Sequence, residues 1–387
     1  MGGSATYGKA MRTSLVALTT AAVAAGVAGV VVFVAANDSA APTVAGPADV
    51  ATAGDAASTA ALNTAGNPQF QQRLPIAPRI QWNSNFGYCG EVSFISAGMM
   101  FGQYTSQWTA RSMASPGVAQ TEESSQLLLG ENDLAAATRM RLRAVGFPTT
   151  TQRSTPQYLA WVKQQTLAGR PVIIGVYDNM RVFELPLPGE DEYDHIVPVV
   201  GIGSQQPLKA NAGRYFGTDV VTFSDNGVYD DGGAYPKLFS YRFDQFQKTR
   251  AQANAPGGAV YSLRNQPPNF AAAVAGVADT GGVTIPVSLT SNVDNEGVQD
   301  QDVMARPPAP KPIALTATVR IPNPAKAYNV YLYDNFAKVP VAGFNAARGQ
   351  AIRSWRIPAG QRTPWTTTVT ALSNSTQVFR AVPTSAP

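Results

Sequence analysis

Between Ser93 and Tyr104 the apolar residues Phe94, Ile95, Met99, Met100 and Phe101 recur at helical spacing. The pattern predicts a helix there despite Gly98 and Gly102. A second helix is predicted from Asp133, an N-cap residue, to Val145, with Gly146 as its stop and Pro148 beyond. The third has the fullest punctuation: Ser154 as cap, Pro156 in the first turn, the run "QYLAWVKQQTLA" and a stop at Gly169. The periodicity then changes. "RPVIIGVYD" (170–178), "HIVPVVGIG" (195–203) and "DVVTFSD" (219–225) are short β-branched runs bounded by Gly, Pro and Asp. They read as buried strands of one sheet.

Helices followed by strands predict an α+β domain, opening near residue 69 and ending near Pro268. Residues 269–312 read as a linker, most clearly in "QDQDVMARPPAPKP" (299–312). From residue 313 to 387, "IALTATVRI", "AYNVYLYDNF", "IRSWRI" and "WTTTVTAL" predict a small all-β module of sandwich type. The run "VTIPVSLT" (283–290) is a further strand of that module or of the linker before it, so the boundary is soft.

The first 68 residues stand apart. Lys9 and Arg12 precede an uncharged Ala- and Val-rich run from Leu15 to Ala36, in the pattern of a secretory signal peptide. Its length also suits a retained signal anchor, making residues 15–36 a potential membrane contact. Residues 37–68 are Ala, Gly, Thr and Pro with almost nothing large and apolar, the composition of a flexible linker. The expectation is a secreted or membrane-anchored protein whose main domain is extracytoplasmic. The net charge of +4 is small for 387 residues, and Lys and Arg are scattered singly. No basic stripe with interleaved aromatics is visible, so nucleic acid is not an expected partner.

Composition restricts the chemistry sharply, because the chain has one cysteine, Cys89, and one histidine, His195. A zinc site with several Cys or His ligands is excluded. Asp225, Asn226, Asp230 and Asp231 are oxygen-rich, but their spacing does not fit an EF-hand loop. There is no G-x-S-x-G elbow, no Walker loop and no full dinucleotide fingerprint. Neither a metal nor an organic cofactor is expected. What remains is a thiol nucleophile with an imidazole base, and a lone cysteine in an exported chain cannot form an internal disulfide.

Gly87 and Gly90 let the backbone turn tightly around Cys89, and the apolar run behind them would aim a helix N-terminus at the sulfur. His195 opens its strand after the acidic "GEDEYD" (189–194), whose carboxylates would favour the imidazolium. Asp225 or Asn226, at the end of the next strand, would orient the ring. Gln81, Asn83 and Asn85 in "QWNSN" offer amide donors for an oxyanion hole.

Together, "GYCGE", "LAGRPVIIGV" and "DHIVPVVGIG", with an upstream Gln and a later strand closing on Asp-Asn, resemble the papain-like thiol peptidases, most closely the C39-like branch. The resemblance spans about residues 78 to 230. It implies N-terminal helices against an antiparallel sheet, with Cys89 as nucleophile, His195 as base, Asp225 as orienting residue and Gln81 as oxyanion donor. It also implies a peptide or protein substrate. The chain departs from the pattern in three ways. Gln81 precedes Cys89 by eight residues, farther than usual in the family, which leaves Asn83 as a second candidate. Asn226 stands beside Asp225, and either residue type serves in the superfamily. The transporter segments of bacteriocin-processing enzymes are absent. Two other readings use the same residues: a non-catalytic extracellular binding protein on this scaffold, and a thiol amidase or acyltransferase.

Overall fold

The structure, a computed structural model, describes residues 68–386 apart from 77, 83, 182–192, 228–237 and 296–304. The run from Leu15 to Ala36 and the linker up to residue 67 lie outside the described residues. Among the described residues, no helix is long and apolar enough to cross a membrane.

The fold is α+β, with mostly antiparallel sheets and few helices. Strand β1 (Phe70–Arg73) leads to helix α1 (Cys89–Met99), β2 (Gln103–Tyr104), α2 (Gln107–Ala114), α3 (Asp133–Arg139), β3 (Leu142–Gly146) and α4 (Thr155–Leu167). Then come β4 (Val172–Asp178), β5 (His195–Ser204), β6 (Val220–Ser224) and β7 (Leu238–Arg242). Short α5 (Phe243–Phe246), β8 (Gln247–Lys248) and α6 (Arg250–Ala253) precede β9 (Tyr261–Arg264) and β10 (Ala271–Val277). The C-terminal strands are β11 (Val287–Ser291), β12 (Pro312–Val319), β13 (Tyr328–Tyr333), β14 (Arg353–Ile357), β15 (Trp365–Leu372) and β16 (Gln377–Pro383).

Local chemistry sets several boundaries. Helix α4 starts at a reciprocal capping box, Ser154 with Gln157, with Pro156 in its first turn. It ends before Gly169, whose φ of +78° an L side chain would resist. The helix predicted from Asp133 to Val145 is a correction. It stops at Arg139, Arg141 takes φ +58°, and Leu142–Gly146 becomes a strand paired with β10. The paired edge of β10 supplies hydrogen bonds that outweigh the helical spacing of so short a segment.

The main sheet runs β3-β10-β4-β5-β6-β7, with β1 on the C-terminal half of β5 and β9 at the end of β4. All ten residues of β5 are buried, as expected of a central strand covered on both faces. Helix α1 lies against β5, and the Ser93 hydroxyl donates to the Ile196 carbonyl at 3.1 Å. A second pair of sheets forms the C-terminal sandwich: β11-β12-β15 and β14-β13-β16-β2.

The linker expected over 269–312 is a second correction. Strand β10 sits between β3 and β4, so the main sheet runs past Pro268, and β11 is a sandwich strand. Nor is the sandwich separate. Strand β2, directly after α1, extends its second sheet, and one apolar cluster unites Phe94 and Met99 of α1 with Leu315, Val330 and Phe379. Arg380, fully buried, donates to the Gln103 side chain at 2.8 Å and the Phe101 carbonyl at 3.2 Å, locking the two halves together.

Candidate active site

The approach to Cys89 is a tight left-handed turn: Asn85, Phe86 and Gly87 have φ of +50°, +67° and +84°. Two non-glycine residues in that region need support from their surroundings. Arg111, fully buried on α2, supplies it. Its guanidinium donates to the Asn85 carbonyl at 2.5 Å and to the Gly87 carbonyl, pairs with Glu91 at 2.6 Å, and covers the Tyr88 ring at 3.7 Å. Glu91 also accepts from the Leu127 N–H at 3.0 Å. Gly90 is required by space rather than by dihedral angle, because a Cβ there would lie 2.1 Å from the Leu127 carbonyl oxygen.

Cys89 is therefore the first residue of α1, half-buried, where backbone N–H groups have no intrahelical acceptor. His195 opens β5 beneath it and hydrogen-bonds Cys89. The other side of the ring meets Asp225: Nε2 lies 3.2 Å from Oδ1. With Nε2 so engaged, Nδ1 is the ring nitrogen facing the thiol. Tyr261 stacks on the imidazole, with centroids 5.7 Å apart and planes 18° from parallel. Burial works against charge on His195. The bonds to Asp225 and Cys89, with the charges of Cys89 and Asp178, outweigh it and hold the imidazole well above its ordinary pKa.

Asp225 is fully buried just past β6, and its Oδ1 also accepts the Gly227 N–H at 2.9 Å. Asn226 does not orient the imidazole. Its Nδ2 reaches the Cys89 carbonyl at 3.1 Å, the Ser93 hydroxyl at 2.9 Å and the Ile196 carbonyl at 3.1 Å, clamping α1 to β5. The orienting role open to it in the sequence gives way to a structural one. Asp230 and Asp231 lie outside the described residues. Among the described residues, no group of three or more His, Cys, Asp or Glu gathers to hold a metal ion.

Gln81 accepts the Tyr88 N–H through Oε1 at 2.8 Å, which sets its carboxamide beside the Cys89 turn, with no partner for its NH2 end among the described residues. Its own N–H donates to the Asn226 carbonyl at 2.9 Å, fixing the segment to the same strand end. Asn85 turns away, donating to the Tyr88 hydroxyl at 2.9 Å, and so is no oxyanion donor. Asn83 and residues 189–192 of the acidic run lie outside the described residues. Asp194 pairs with Arg250 at 2.5 and 2.7 Å.

Sequence reasoning misses one titratable neighbour, Asp178. Val176 pairs with His195, so Asp178, two residues on, projects from the same face of the sheet. Its Oδ1 is buried without a hydrogen-bond partner among the described residues. Burial pushes its carboxyl up to about 8, with Asp194 and Asp225 adding to the rise and His195 and Arg250 opposing it. A signal exists, since it is the acid closing "VIIGVYD", the strand that precedes the histidine strand. Comparison with known proteins found no match of any kind: no protein-family model, no curated protein and no solved structure.

Proposed function

We propose that this chain is a cysteine peptidase of papain-like type, exported or anchored through residues 15–36. The observation that carries the reading is the placement of the lone histidine between the lone cysteine, at a helix N-terminus, and a buried carboxylate. A raised imidazole pKa supports it, because an imidazolium is the partner that a thiolate nucleophile needs.

In this reading Sγ of Cys89 attacks a peptide carbonyl carbon, forming the C–S bond and placing negative charge on the oxygen. The Cys89 N–H and the Gln81 NH2 are the donors for that oxyanion. The imidazolium gives its proton to the departing amine as the C–N bond breaks, leaving a thioester and a neutral His195. His195 then takes a proton from water, the resulting hydroxide adds to the thioester, and C–S cleavage releases the acid and restores the ion pair. Asp225 keeps the ring oriented through both halves.

The test is incubation of a mixed peptide library with the wild-type chain and with Cys89→Ala, followed by mass spectrometry. New termini formed by the wild type and not by the variant support hydrolysis. Transfer of the acyl group to an added amine in preference to water would make the chain an acyltransferase. Intact peptides in both samples would support a binding protein on this scaffold.

A further inference from the structure

The end of β4 holds an acid for which packing has no use. The Asp178 N–H donates to Asp194 Oδ2 at 2.8 Å. Asp194 is gripped in turn by the Arg250 guanidinium at 2.5 and 2.7 Å, and Arg250 lies over the Tyr177 ring at 4.1 Å. The charge of Asp194 is thus taken up. Oδ1 of Asp178, by contrast, is buried with no hydrogen-bond partner among the described residues. A polar atom enclosed in this way lowers stability, so folding gains nothing from a carboxyl at this position.

Strand register shows what that carboxyl faces. Val176 pairs with His195, and Asp178 pairs with Tyr261 of β9. Directly paired residues share a face of the sheet, as do alternate residues of one strand. His195, Asp178 and Tyr261 therefore stand on one face, and Tyr261 stacks on the imidazole with centroids 5.7 Å apart. Asp178 lies diagonally across from His195, a relation that spans about 7–8 Å in an antiparallel pair. No cation comes between them among the described residues: Arg250, the base beside Asp178, is engaged with Asp194.

We propose that Asp178 is a positioning residue of the candidate site, a second carboxyl that acts on Cys89 through His195 by holding the imidazole protonated in alkaline solution. The groups facing Asp178 are His195 and Asp194 of β5, Asp225 past β6 and Arg250 of α6. Those facing His195 are Cys89, Asp178, Asp225 and Tyr261. Near neutral pH Asp178 keeps its proton, because burial raises its carboxyl to about 8. The imidazolium is then balanced by Asp225 and the thiolate alone. As pH rises past that value Asp178 releases its proton to solvent, and a further negative charge faces the ring. That charge opposes loss of the imidazolium proton, so the two groups titrate as a coupled pair and the ion pair with Cys89 persists to higher pH. The consequence for hydrolysis rests on the peptidase reading; the effect on the ring does not.

The test exploits the lone histidine. The full chain, reduced, without an affinity tag and labelled with 15N-histidine, gives imidazole signals from His195 alone, followed by NMR from pH 5 to 10. The wild-type signals should show a small inflection near pH 8, as Asp178 ionises beside a ring still protonated, and this observation needs no variant. In the isosteric Asp178→Asn the inflection should vanish and the ring should lose its proton about one pH unit lower, a tenfold change in proton affinity. Asp334→Asn, at a carboxylate paired with Lys338 in the sandwich, should change neither. Where a library peptide is cleaved, the alkaline limb of its pH profile should move down with the ring in Asp178→Asn while the acid limb stays. An imidazole titration identical in wild type and Asp178→Asn, or one moved equally by Asp334→Asn, would overturn the proposal. Absence of cleavage with the shifted titration present would overturn the peptidase reading alone.

Discussion

At His195, burial and hydrogen bonding oppose each other, and the bonds to Asp225 and Cys89 win. Removing either partner should therefore be felt at the ring. Asp225→Ala leaves Nε2 without its acceptor, and the proposed peptide hydrolysis should fall by about 10²–10⁴-fold, the range for loss of effective acid–base catalysis. A melting temperature within a few degrees of wild type would assign the loss to orientation rather than unfolding. Asp178 gives a prediction about stability. Its folded-state pKa is raised to about 8, whereas the unfolded chain releases that proton near the ordinary carboxylate value of about 4. Between those values the native state holds more protons, so this group's contribution to stability declines as pH rises. Asp178→Asn removes the decline. The urea midpoint of the variant, relative to wild type, should rise from pH 4 to pH 8; a constant difference would contradict the assignment. Cys89, His195 and Asp225 were legible in the sequence because each is rare or ends an apolar run. Asp178 was not, because its significance depends on the register that pairs Val176 with His195.

Helix α1 is held by contacts that begin in other elements. Arg111 of α2 satisfies the carbonyls of the left-handed turn and neutralises Glu91 in the first turn of α1. Breaking a buried pair by removing one partner costs about 3–5 kcal/mol. Arg111→Met should lower stability by about that amount, measured by urea denaturation, and Glu91→Gln with Arg111→Met should recover part of it. Gly90→Ala is expected to be worse than an ordinary helix substitution. Alanine favours helix, yet its Cβ meets the Leu127 carbonyl, so soluble yield rather than a small shift is the readout. Helix α4 was legible in full, since cap, Pro and stop are local signals. Helix α1 was legible in part: the glycines around Cys89 put a helix N-terminus at the sulfur, whereas the apolar spacing began only at Ser93, and the clamp on its first turn comes from residues 20 or more positions away.

Across the whole molecule, the two halves share one core. The expected division at Pro268 would remove β10 from between β3 and β4, and the expected module from 313 would lose both β11 and β2. Calorimetry of the full chain should accordingly give a single unfolding transition. The chain truncated to residues 69–268 should be insoluble or lack a cooperative melt; two resolved transitions, or a stable fragment, would contradict the shared core. The strands themselves were legible from alternation and turn residues. Their partners were not, because a short apolar run such as "AAAVAGV" carries no label for the sheet it joins. The excess of base in residues 305–386, ten Lys or Arg against one Asp, was hidden in a different way, by averaging charge over the whole chain.

The central claim is that His195 activates Cys89, and alkylation measures it directly. The folded wild-type chain and His195→Ala are treated with iodoacetamide across pH 5 to 8, beside a small-thiol control, and modification at Cys89 is followed by mass spectrometry. The account predicts that the wild type reacts faster than the control at the acidic end and that His195→Ala abolishes the advantage. Modification of wild-type Cys89 no faster than the control, unchanged in His195→Ala, would contradict it.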